Sequence, residues 1–165
     1  MIYTGVDPGK MGAIASITST GEVLRITRFA AAETEGRIAL LISDHFAELP
    51  EGTHSAVLER VHAMPGQGVS STFTFGRTYG EAWAGLLLSL GGAIRVQTVL
   101  PAIWQRELVL PKKHFTENHK RTLRDLAENR FGRKFTIAEA DAVWLAEWCR
   151  TKGNWAPGNC AEVPR

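Results

Sequence analysis

Cysteine is scarce in this chain. Its 165 residues contain two, Cys149 and Cys160. Neither has the partners of a zinc motif, and both lie too near the end to staple a fold, so a disulfide scaffold is excluded and a reducing compartment is expected. Cys149 reads as buried on a helix and Cys160 as part of the tail. Long apolar runs are missing too. No stretch approaches the length of a membrane span, and Met1-Ile2-Tyr3-Thr4 has neither the basic nor the apolar region of a signal peptide. The expectation is a soluble, intracellular protein with no membrane partner. Internal repeats, low-complexity tracts and domain linkers are also lacking. With 44% apolar residues, the length suits one domain, residues 1–150, followed by a flexible tail, 151–165.

Charge is nearly balanced at +2 but unevenly placed. Between Arg106 and Lys134 stand nine basic residues (Arg106, Lys112, Lys113, Lys120, Arg121, Arg124, Arg130, Arg133, Lys134) against four acids (Glu107, Glu117, Asp125, Glu128). Such a cluster can neutralise phosphates and release counterions. Taken alone such a run reads rather as a solvated helix face, and only a carboxylate cluster beside it turns the balance toward phosphate binding.

The order of elements follows from periodicity and breakers. Residues 2–7, 12–18 and 22–29 read as strands joined by tight turns, hence a three-stranded antiparallel meander, with Pro8 and Gly9 forming a type II turn after Asp7. Ile38, Leu41, Ile42, His45, Phe46 and Leu49 recur at helical spacing until Pro50 and Gly52. Ser55 to Glu59 is a strand that follows a helical crossover, so it pairs in parallel with the first. A helix over 72–90 is expected to bury Phe75, Tyr79, Trp83, Leu86, Leu87 and Leu90, and to pack its row of Gly76, Gly80 and Ala84. A strand over 94–100, a short helix from Pro101 carrying Trp104, and helices over 117–131 and 137–150 complete the chain. The fold class is α/β, a mixed five-stranded sheet flanked by helices in the order β-β-β-α-β-α-β-α-α.

Three carboxylates occupy separate elements of that order: Asp7 after the first strand, Glu59 ending the fourth, Asp141 near the start of the last helix. Phosphodiester displacement by two cations about 4 Å apart needs acids that converge from different elements. Each acid alone has an ordinary reading: Asp7 starts a turn, Glu59 ends a strand, and Asp141 meets the positive end of a helix dipole.

The wording of the motifs adds to this. Gly5-Val6-Asp7-Pro8-Gly9-Lys10-Met11-Gly12-Ala13, Glu59 followed by a loop and Phe75-Gly76-Arg77-Thr78-Tyr79-Gly80, and Ala140-Asp141-Ala142 on a helix resemble RuvC-type Holliday junction resolvases of the ribonuclease H-like superfamily. Met64-Pro65-Gly66-Gln67-Gly68, Pro101-Ala102-Ile103-Trp104 and Lys120-Arg121 resemble the phage and organellar branch. The similarity covers residues 2 to 150. It implies a homodimer that binds four-way junction DNA and makes paired, symmetric nicks with two magnesium or manganese ions per site, in the cytoplasm of a bacterial or phage-infected cell or in an organelle matrix. Asp7, Glu59 and Asp141 would carry the metals and Lys120 would balance charge on the scissile phosphate. Lys112, Lys113, Lys120, Arg121, Arg124, Gln67 and Phe73 would face DNA.

The chain departs from the family at two places. His62 stands where some resolvases have an aromatic residue, which leaves Phe73 open as a stacking residue and Phe75 as core. Ala138 stands one turn before Asp141, where an Asp or His is common. Glu139 is the nearest acid, but Thr136-Ile137-Ala138-Glu139 also fits a capping box, so Glu139 remains between cap and fourth metal ligand. Rival functions are an RNA-processing nuclease of the same fold, a non-catalytic junction-binding module, and a sugar-kinase-like ATPase suggested by the Asp-Pro-Gly-Lys hairpin. The last lacks the length for a second lobe.

Overall fold

The computed structural model describes residues 1–31, 34–62, 66, 68–89, 95–108, 110 and 118–153. The first three strands, β1 (Ile2–Asp7), β2 (Ala13–Thr18) and β3 (Val23–Arg28), form the expected antiparallel meander. Helix α1 (Arg37–Ala47) carries the chain to β4 (His54–Glu59), which lies parallel to β1 with Val6 opposite Leu58. Helix α2 (Val69–Ser89) leads to β5 (Arg95–Val99), parallel to β4, and the sheet order is β3-β2-β1-β4-β5. Short α3 (Pro101–Glu107), α4 (His119–Phe131) and α5 (Ile137–Lys152) finish the described chain. Helix α5 thus runs two residues past the expected boundary, and most of the tail lies outside the described residues. No described helix is long and apolar enough to cross a membrane.

Alternation along the strands splits the core in two. Val6, Ile14, Ala56 and Leu58 face α1 and α2, while Ala13, Ala15, Ile17 and Val57 face α4 and α5. The α1 side includes a polar chain. Thr4 Oγ1 bonds Ser16 Oγ at 2.7 Å, and His45 bridges Ser16 and Thr27 through Nε2 and Nδ1, both at 2.9 Å. Satisfied on both nitrogens and buried, His45 is held neutral, its pKa pushed down to about 3 first by burial and then by Arg25 and His54.

Helix α2 differs from expectation. Its buried residues are Thr78, Ala82, Gly85 and Leu86; Phe75, Tyr79 and Trp83 are only half-buried, Leu87 is exposed, and Leu90 lies outside the described residues. The small row of Gly76, Gly80 and Ala84 is exposed, with nothing within 4 Å of a Cβ at either glycine. The glycine that packs is Gly85, where a Cβ would come within 3.0 Å of Ala39 Cα. The apolar stripe is wider than the single helix, α1, that α2 rests on.

Candidate functional site

Asp7 and Glu59 end adjacent parallel strands, so their carboxylates leave the same edge of the sheet. Asp141 comes from the first turns of α5 and is 3% exposed. The approach of α5 depends on Gly5 in the middle of β1. A Cβ there would come within 2.3 Å of both the Ala142 carbonyl oxygen and the Ala146 nitrogen, so only glycine lets the helix backbone lie directly on the strand.

The turn after β1 is not the type II turn expected, since Gly9 is absent from the positive-φ glycines. Instead Asp7 Oδ1 accepts the Gly9 N–H at 3.0 Å, an Asx turn, and the Gly12 N–H follows to the Gly9 carbonyl at 2.8 Å. The aspartate therefore fixes its own side chain. The crowded position in this hairpin is Gly12, where a Cβ would meet the Asp7 carbonyl oxygen at 2.1 Å.

Each of the other acids has one fixed oxygen. Glu59 Oε1 accepts from Trp104 Nε1 at 2.9 Å, and Trp104 is fully buried on α3. Asp141 Oδ2 accepts from Lys120 Nζ, whereas Asp141 Oδ1 is buried with no hydrogen-bond partner among the described residues. Burial pushes the Asp7 carboxyl up; the Gly9 hydrogen bond opposes this and the charge of Asp141 adds to it. Burial and then the charge of Asp7 push Glu59 up to about 7 against the Trp104 hydrogen bond. Burial works against the Lys120 charge, but Asp141, Asp7 and Glu59 outweigh it and hold the ammonium above its usual range.

The cluster is therefore short of positive charge, with three carboxylates around one lysine. Among the described residues no three acid, histidine or cysteine side chains stand close enough to hold a single ion in this arrangement. The chemistry of the donors nonetheless fits a hard divalent cation: all are oxygens, one is orphaned in a buried position among the described residues, and burial followed by carboxylate repulsion disfavours the charged forms of Asp7 and Glu59, a penalty a cation would relieve.

Glu139 is placed as the capping box requires. Its Oε2 accepts the Thr136 N–H at 2.7 Å and its own N–H donates to Thr136 Oγ1 at 3.3 Å. Of the expected DNA-facing residues, Arg121 is exposed on α4 beside Lys120, and Phe73 is 71% exposed. Arg124 is paired with Asp125 at 2.8 Å and lies 3.9 Å from Glu128. Gln67, Lys112 and Lys113 lie outside the described residues. Phe75 is half-buried rather than core and lines a cleft with Lys10, Ser70, Ser71 and Thr74. Much of the basic excess is internally spent, since Arg130 bonds Glu147 and Lys134 bonds Glu128.

Two residues of the site have roles that the sequence does not assign them. Trp104 orients Glu59, a role its buried indole N–H could have signalled, since such a group seeks an acceptor. Arg28 lines the cleft beside Asp7, Lys120 and Asp141. Its signal was its place at the end of the third strand.

No family model matches the chain, and no curated protein does. Solved structures do. The RuvC of Thermus thermophilus in complex with a Holliday junction substrate superposes with a TM-score of 0.61 at 16% identity, over 93% of this chain and 98% of that one. A second Thermus thermophilus RuvC structure gives 0.57 at 16% identity over 88% and 91%. The chain has the fold of the RuvC Holliday junction resolvases, the ribonuclease H-like arrangement of a mixed five-stranded sheet with flanking helices.

Proposed function

We propose that this chain is a structure-specific DNA endonuclease that resolves four-way junctions by metal-dependent phosphodiester hydrolysis, in paired symmetric nicks. The observation that carries the reading is the convergence of Asp7, Glu59 and Asp141, from β1, β4 and α5, around Lys120. That a structural neighbour is bound to a Holliday junction supports the choice of substrate.

Asp7, Glu59 and Asp141 would hold magnesium or manganese, two ions per site, with Glu139 the further candidate ligand. When bound, such ions supply Lewis acidity and make water a nucleophile at neutral pH. The chain's own groups do the rest. The Gly9 N–H and the Trp104 indole hold Asp7 and Glu59 in one orientation. Lys120 neutralises charge developing on the scissile phosphate. Arg121 and Arg124 on α4, with Lys112, Lys113 and Gln67, contact the DNA backbone, and Phe73 offers a stacking surface where the junction opens.

Paired nicks need two sites facing opposite strands, hence an isologous dimer. The exposed face of α2, with Gly76, Gly80, Ala84 and Leu88 at helical spacing, is the surface suited to it.

Two observations favour a second reading, a junction-binding module without catalysis: Ala138 supplies no ligand and Lys120 already occupies Asp141. A cleavage assay on four-way junction, duplex, flap and RNA substrates, with and without magnesium, separates the two. Magnesium-dependent nicking of the four-way junction is expected. Binding without nicking would establish the module, and cleavage confined to RNA would remove the junction reading altogether.

A further inference from the structure

The cleft beside the carboxylates is lined by Asp7, Gly12, Arg28, Lys120, Ala138 and Asp141 among others. It holds two cations in different states. Lys120 is committed to Asp141. Arg28 is the last residue of β3, and its side chain is 58% exposed; its one ion pair among the described residues is Nε to Glu139 Oε1 at 3.9 Å, too long for a hydrogen bond. Glu139 cannot close that gap freely, because its Oε2 accepts the Thr136 N–H at 2.7 Å in the cap of α5.

Sheet register fixes where Arg28 points. Asp7 is opposite Ala13 and Ala13 is opposite Arg28, so the three form one rung and their side chains leave the same face. Two strand spacings put the Arg28 backbone about 10 Å from that of Asp7. Gly12 and Ala138, between them and beside them, add no bulk to the cleft. A planar guanidinium with no hydrogen bond among the described residues, lining a cleft beside a carboxylate anchored elsewhere, can take a phosphate in bidentate fashion.

We propose that Arg28 binds a DNA phosphate of the strand being cut, adjacent to the one over Asp7, with Glu139 as its positioning residue. The small side chain of Ala138 then has a consequence: it leaves the path between Arg28 and Asp7 open. The inference rests on the nuclease reading and adds to it a second phosphate-binding group, on the β3 side of the site.

The test is binding of a labelled four-way junction without divalent metal, across a range of potassium chloride, for the wild type, Arg28→Gln, Arg28→Met and Arg28→Lys. Removing one cation that neutralises a phosphate lowers the slope of log affinity against log salt by about 0.9. That decrease is expected for the Gln and Met variants, with Arg28→Lys retaining the wild-type slope and all four proteins melting together. Unchanged slopes in both neutral variants would overturn the inference while leaving the nuclease reading intact. A wild type that binds no DNA would overturn both.

Discussion

Helices α5 and α2 are both long, and they meet the rest of the molecule in opposite ways. Every residue from Ala140 to Cys149 in α5 is buried, because the helix lies on β1, β2 and β4 with α4 along its side. In α2 the buried set is Thr78, Ala82, Gly85 and Leu86, and Leu88 is 81% exposed. In the proposed function, α5 would supply Asp141 as a buried, fixed carboxylate, and α2 the uncovered apolar area that a second copy would need.

The sharpest way to break this contrast is within α5 itself. Asp141→Asn should reduce magnesium-dependent junction nicking by about a thousandfold or more, corresponding to roughly 4 kcal/mol of transition-state stabilisation. Glu139→Gln, two residues away, should leave most cleavage intact because glutamine can still accept at the cap. Equal loss of cleavage in both, with folding unchanged, would make Glu139 a metal ligand.

A glycine in each region gives the next test. Gly5→Ala drives a methyl into the α5 backbone and should cost about 1–3 kcal/mol in urea unfolding. Gly80→Ala on the open face of α2 should instead stabilise the monomer by up to about 1 kcal/mol, measured at dilutions where any dimer has dissociated. Destabilisation of similar size at both positions would erase the distinction.

The α1 side of the sheet adds a pH signature of its own, from a buried histidine rather than from carboxylates. His45 stays neutral in the fold down to about pH 3, whereas in the unfolded chain it takes up a proton below its ordinary 6.5. The stability it contributes is complete above pH 6.5 and declines as pH falls toward 3, by up to about 1.4 kcal/mol per unit. Melting curves of wild type and His45→Gln should show this part of the slope only in the wild type.

The smallest effect on the monomer should come from Leu88→Glu. At an exposed helical position it should change unfolding stability by no more than about 0.5 kcal/mol, while sedimentation shows monomer alone. A dimer that survives the charge would place the interface elsewhere.

The strand order, the parallel return of β4 beside β1, the acids at the two strand ends and the capping box of α5 are all legible in the sequence. Each depends on a local pattern: alternation, a breaker, or a spacing of three residues from Thr136 to Glu139. The α2 stripe misleads for the same reason. Periodicity shows which side chains are apolar, but burial depends on what arrives to cover them, and α1 covers only part of the stripe.

What the sequence determined by itself was the succession of elements and the residues at their ends, because backbone propensity, turn chemistry and caps act over a few residues. Tertiary structure decided the rest: that α5 rests on Gly5, that the Trp104 indole holds Glu59, that Lys120 neutralises Asp141, and that Arg28 shares a rung with Asp7. These are contacts between segments far apart in the chain. They follow from the register of the sheet and the close approach of a helix, which no local pattern encodes.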